Sequence, residues 1–243
     1  MSPESVADAA TKTAAVESYR MLAMTKLTLN GKDLTFVAKG VFDPKQRRGR
    51  MTLDMSQLGS VQGGGDSPYN YGYATFILDG KDMYMRIPLL RLTYRNLKPW
   101  VKIDLDRAGR AGGLDSYLQF GASGDPTQLL RSLQGLGKLE KKGSEDVRGV
   151  STTHYAGTID LHKVKGGDLL ARITGVEKLP VEVWVDGNGL VRRQKWTETL
   201  NGQDGEQTEM EVAMDLYDFG APVIALVPPA RDVTDFSGGG SES

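Results

Sequence analysis

The chain has 243 residues, with 30 Lys and Arg against 31 Asp and Glu, for a formal net charge of −1. So even a balance supplies no overall field to steer the protein to nucleic acid or to an anionic surface. There is no cysteine, which excludes disulfides, thiolate metal sites and thiol nucleophiles. No apolar run approaches the ~20 residues that span a bilayer, and the start, MSPESVADAA, lacks the basic-then-apolar pattern of an export signal.

Residues 4–18 read as an amphipathic helix, with Ser5 as cap and Val6, Ala9, Ala10 and Val16 as its apolar stripe. From Tyr19 the period changes to two. A strand over 19–29 runs into Asn30-Gly31, a strong hairpin signal. The next, over 34–42, puts Leu34, Phe36, Ala38 and Phe42 on one face. In the third, over 49–57, Met51, Leu53 and Met55 alternate with Arg50, Thr52, Asp54 and Ser56. Alternation of this kind predicts an antiparallel meander with one dry and one wet face.

A Gly-rich loop follows at 59–71, then strands at 72–79 and 82–87 split by Asp79-Gly80. Pro88 and Pro99 bracket an extended piece, and residues 100–105 form a short strand. Asp125-Pro126 starts a helix, Asp capping and Pro in the first turn, that carries Leu129, Leu130 and Leu133 on one face. Strands are expected at 138–142 and 150–161. A short helix at 166–175 is broken at Pro180, and a hairpin at 181–186 and 190–200 turns on Gly187-Asn188-Gly189. The last long strand, 206–219, places Met210, Val212, Met214 and Leu216 together. The SGGGSES end reads as a tail.

The reading is therefore α+β: one curved antiparallel sheet of about ten or eleven strands in one domain over 1–236, with a flexible tail at 237–243.

Catalytic chemistry is sparse. His154 and His162 are the only histidines, and no serine sits in a G-x-S-x-G elbow, so His154 is expected to be a half-exposed strand residue. Two histidines without cysteines or H-x-x-x-H spacing leave no metal set. Asp186-Gly187-Asn188-Gly189 lacks the distal Glu of a calcium loop and reads as a turn. The glycines at 63–65 precede no Lys-Ser/Thr, so no phosphate cradle or cofactor site is expected. Basic clusters at Lys45, Arg47, Arg48 and Arg50 and at Arg86, Arg91, Arg95 and Lys98 are balanced by acids; they read as solvated hairpin ends, or as contacts to lipid headgroups, not as a nucleic-acid surface.

Methionine is the positive signal. All eight beyond Met1 fall in expected strands, and Met51 and Met55, Met83 and Met85, and Met210 and Met214 pair on shared faces. Methionine is a poor strand former but adapts to irregular apolar partners, which suits a sheet face that holds loose alkyl chains.

The stretches Asp125–Leu133, Glu145–Leu161 and Pro180–Arg193 (PVEVWVDGNGLVRR), in this order of elements, give the chain a resemblance to the LppX/LprG lipoproteins of actinobacteria. The resemblance implies a LolA-like half-barrel whose concave face, covered by helices, forms an apolar pocket. It further implies a non-enzymatic carrier of acylated lipid or glycolipid in the cell envelope, facing the periplasm or cell wall. Its members are held to the membrane by a lipidated cysteine after a signal peptide. This chain has no cysteine, so such an anchor is expected upstream of it. Strand parity assigns the lining to Leu34, Phe36, Met51, Leu53, Met55, Phe76, Leu78, Met83, Met85, Met210, Val212 and Met214, with Leu129, Leu130 and Leu133 as lid. The alternative is an envelope sensor that holds a protein or lipoprotein partner in the same groove.

Overall fold

The computed structural model describes residues 3–29, 32–60, 71–94, 96–106, 139–163, 171, 175–201 and 207–236. Helix α1 (Pro3–Ala14) leads into β1 (Tyr19–Leu29), β2 (Lys32–Asp43), β3 (Arg48–Asp54), β4 (Tyr73–Asp79), β5 (Asp82–Arg86), α2 (Pro88–Thr93) and β6 (Trp100–Asp104). After β6 come β7 (Glu140–Val147), β8 (Val150–Asp160), β9 (Lys178–Asp186), β10 (Val191–Asn201), β11 (Gln207–Tyr217) and β12 (Val233–Asp235).

All twelve strands join one open, curved sheet in the order β12-β6-β5-β4-β3-β2-β1-β11-β10-β9-β8-β7. Two meanders, β1 to β6 and β7 to β11, meet along the antiparallel β1–β11 seam. Short hairpin connections enforce antiparallel pairing. Only β12 is parallel to its neighbour, because the chain crosses back to the far edge to reach β6.

Strand β1 occupies its expected span, and Leu29 faces Lys32 across the β1–β2 pair. Five expectations need correction. The sheet has twelve strands, not ten or eleven. The expected extended piece after Pro88 is α2: Pro88 takes the first turn, where a missing N–H is harmless. Pro180 does not break the chain but lies inside β9, facing Thr158 of β8; the β9–β10 ladder begins only at Val181, so no bond to β10 is lost. Strand β7 runs on to Val147, past the expected limit of 142. Finally, α1 starts at Pro3, so Ser5 is inside the helix rather than its cap. The expected helix at 125–136 lies outside the described residues, as does nearly all of that at 166–175.

The face shared by Tyr19, Phe42, Leu78, Met83 and Leu216 is the inner one, and these five are at most 3% exposed. They crowd one rim, where β1 and β3 start and β2 and β4 end. Phe42, Met51, Phe76, Leu78 and Met83 pack so closely that the gap between them, about 10 Å³, has room for one water at most. Gly49 permits this closure: a Cβ there would lie 2.2 Å from the Phe42 ring. Helix α1 closes the β9–β10 side with Val6, Ala9 and Ala10, all buried. Its buried Thr13 hydroxyl donates to Ala9 O (2.7 Å) and accepts from Val191 N–H (2.8 Å), joining helix to sheet.

Candidate functional site

Cross-strand register places every strand residue expected in the lining on this inner face. Leu53 faces Ala38, and Phe76 faces Met51 and Met85. Leu78 faces Met83, and Leu34 faces Leu27 of β1. Leu27 in turn faces Met210, while Phe36 faces Thr25, which faces Val212, and Ala23 faces Met214. Met55, one residue beyond β3, is buried in the same apolar cluster. The three lid leucines, Leu129, Leu130 and Leu133, lie outside the described residues.

Burial is uneven over this face. The rim at Tyr19 and Phe42 is sealed, whereas Ala23, Thr25 and Leu27 of β1, Phe36 of β2, and Met51 and Leu53 of β3 are only half-buried. The register gathers these six on β1, β2 and β3, around the buried Ala38 and Leu34. A filled core would seal its centre first and leave its margins open.

Residues that the parity argument passed over complete the face. Strand β1 runs down its middle and contributes Met21, Ala23 and Leu27. The Asn30-Gly31 turn already implied this: a two-residue hairpin there pairs 27 with 34 and 23 with 38. From β10 come Gln194, Trp196 and Glu198, opposite Met214, Val212 and Met210. Gln194 is 1% exposed; its amide N–H reaches Met214 Sδ at 3.5 Å, and its Oε1 finds no donor among the described residues. Burial pushes the Glu198 carboxyl above its ordinary range.

The outer face is different in kind. An open cleft of about 470 Å³ is lined by Leu22, Met24, His154, Trp184, Arg193 and Lys195 together with four carboxylates. His154 is buried, not half-exposed as expected; its ring stacks on Trp184 at 4.2 Å between centroids. Glu145 bonds both, accepting from Trp184 Nε1–H at 2.9 Å and meeting His154 Nδ1 at 3.0 Å. The Trp184 indole and then His154 hold the Glu145 carboxyl below its ordinary range. Glu182 Oε2 lies 2.8 Å from His154 Nε2, at an angle too poor for a hydrogen bond. Arg193 grips Asp215 with two bonds of 2.6 and 2.9 Å, and Lys195 lies 2.8 Å from Glu211. These groups form a chain of hydrogen bonds and ion pairs across β7 to β11. No Ser or Thr hydroxyl bonds His154, and no three metal-ligating side chains converge, among the described residues. Asp186 is likewise a turn residue: its Oδ1 accepts from Asn188 and Leu190 N–H, and its Oδ2 from Arg192.

In fold, this twelve-stranded open sheet is similar to two mycobacterial lipoproteins, LppX and LprF. The Mycobacterium tuberculosis lipoprotein LppX matches with a TM-score of 0.53 at 16% identity, over 92% of this chain and 96% of that one. LprF from Mycobacterium bovis matches at 0.51 and 16%, over 93% and 96%. The resemblance read from the sequence is thereby met at the level of the fold. In sequence, a 31.2 kDa protein encoded between rplA and rplJ in Streptomyces griseus is 30% identical over 158 residues, 57% of this chain and 48% of that protein. A sequence-predicted lipoprotein of Streptomyces coelicolor is 28% identical over 140 residues, 56% and 42% respectively. The chain thus spans about half the length of these relatives. No protein-family profile matches it.

Proposed function

We propose that the protein is a non-enzymatic envelope lipoprotein that binds the acyl chains of a lipid or glycolipid against its inner face and carries them between membranes. The observation that carries this reading is the set of half-buried apolar side chains Ala23, Leu27, Phe36, Met51 and Leu53 on the inner face of β1, β2 and β3. Each methylene transferred there from water contributes about 0.8 kcal/mol, so several chains need area and dryness rather than polar contacts. The helix at 125–136 is proposed as the cover, with Leu129, Leu130 and Leu133 turned to the acyl chains. That LppX, and the Streptomyces coelicolor relative by sequence prediction, are lipoproteins supports an acyl-anchored location at the membrane.

Protein purified from a lipid-rich host and extracted with organic solvent should release a lipid in stoichiometric amount by mass spectrometry. Met51→Asp, at a half-buried position, should cut uptake of a fluorescent acyl probe at least tenfold while the circular dichroism spectrum is retained. Unchanged uptake would show that the inner face is not the binding surface. Transfer of the probe from donor to acceptor vesicles separates carrying from holding.

A further inference from the structure

One apolar feature faces away from the inner side. Between β11 and β12 the chain runs through residues 221–230, APVIALVPPA, ten residues without one side chain able to hydrogen-bond. Ile224 is 67% exposed, Leu226 72% and Val227 40%, while Ala225 between them is 1% exposed. Backbone contacts tie this strap to the sealed rim. Gly220 N–H donates to Ser18 O (2.9 Å), Ser18 Oγ donates to Ala221 O (2.5 Å), and Arg48 Nη2 donates to Ala225 O (3.1 Å). The exposed side chains are therefore held outward by an anchored backbone, and Pro222, Pro228 and Pro229 restrict it further.

We propose that this strap is a bilayer contact, in which Ile224, Leu226 and Val227 enter the acyl region while the neighbouring basic side chains lie at the headgroups. Three observations favour a lipid surface over a protein. The projecting side chains are all aliphatic, whereas protein hot spots are rich in Trp, Tyr and Arg and poor in Leu and Val. The three prolines remove N–H donors along the strap, so no partner strand can pair with it continuously. Lys45, in the β2–β3 turn just before Arg48, is exposed and has no carboxylate partner among the described residues; Arg231, just past the strap, is 85% exposed in its side chain and lies 3.9 Å from Asp232. The acids nearby are engaged locally: Asp43 by the backbone N–H of Lys45 and Gln46, Asp79 by Arg48, Asp106 by Arg47 and Asp218 by Arg20. An apolar ridge flanked by exposed basic side chains is the pattern of an interfacial membrane contact.

The test is flotation of the 243-residue chain with phosphatidylcholine vesicles, alone and mixed with phosphatidylglycerol. The wild type should float with both, more strongly with the mixture at low salt. The double variant Ile224→Glu/Leu226→Glu should lose at least about tenfold in vesicle affinity, since burying one such side chain alone is worth that much. Met24→Glu, on the outer face, should float as the wild type does. Leu226→Trp should shift its emission to the blue on vesicles. The proposal is overturned if the wild type stays with the buffer, if the double variant floats equally, or if the strap instead forms a dimer that the variant abolishes. Acyl-probe uptake by the double variant should be unchanged, so this result and that for the inner face are read separately.

Discussion

Gly49 and Glu198 mark opposite regimes of the same face. At Gly49 the sheet is full: an added methyl would meet Phe42 Cδ2 at 2.2 Å and Val41 O at 2.8 Å, and the latter is backbone that cannot swing away. Gly49→Ala should therefore destabilise the protein by about 1–3 kcal/mol, read as a lower urea midpoint. An unchanged midpoint would mean that the rim is looser than its burial indicates. At Glu198 the surroundings are dry but the group is polar, and its carboxyl is raised above the ordinary 4.5 by burial. The folded state then holds the proton more tightly than the unfolded one. Stability contributed by the neutral acid is present below the ordinary value and is lost as pH rises from there through the raised one. Glu198→Gln removes that loss. Its unfolding midpoint should match the wild type in acid and exceed it at neutral pH; a constant offset at every pH would sink the assignment.

Elements rather than residues decide how the inner face is bounded. Helix α1 is coupled to the β9–β10 turn through Thr13 and through Lys12 Nζ, which donates to Asn188 O at 2.6 Å. Thr13→Val keeps the volume but leaves the Val191 N–H buried without its acceptor, at about 1–3 kcal/mol. Hydrogen exchange at Val191 should quicken more than at the centre of β1. Most strands were legible in the sequence, because period-two alternation between hairpin turns leaves few arrangements open. In two places a proline misled the reading. Pro88 and Pro180 bar the same hydrogen bond in either setting, and only tertiary context decides that one opens a helix and the other sits beside a ladder not yet begun. Strand β12 pairs over three residues only, too few for a pattern to register. Which side of the sheet these residues face was legible as parity, yet the inner residues of β1 were left out because Ala23 and Thr25 are small or polar. His154 was misjudged because its burial comes from stacking on Trp184, thirty positions away in sequence.

At the scale of the whole molecule, the β1–β11 seam holds two meanders in one sheet. Opening the seam would split the inner face, so β1, β2 and β11 should exchange amide hydrogens most slowly and the edge strands β7 and β12 fastest. Faster exchange in β1 than in β7 would argue that the two halves move independently. The two faces also divide the chemistry. The outer side of β10 and β11 carries ion pairs such as Arg193–Asp215 and Lys195–Glu211. The inner side keeps Gln194 and Glu198 as its polar groups on β10.

An open sheet, unlike a closed barrel, has raw edges. β12 covers part of one, and β7 is the other. Its sequence EKKGSEDV carries five charges in eight residues, and its register slips between Lys141 and Gly143. Charge and a bulge are what discourage a second sheet from docking edge to edge. On the function proposed above, an acyl-binding face would be dangerous in a molecule that stacked. Strand β7 thus blunts this edge of an unclosed sheet against a second copy.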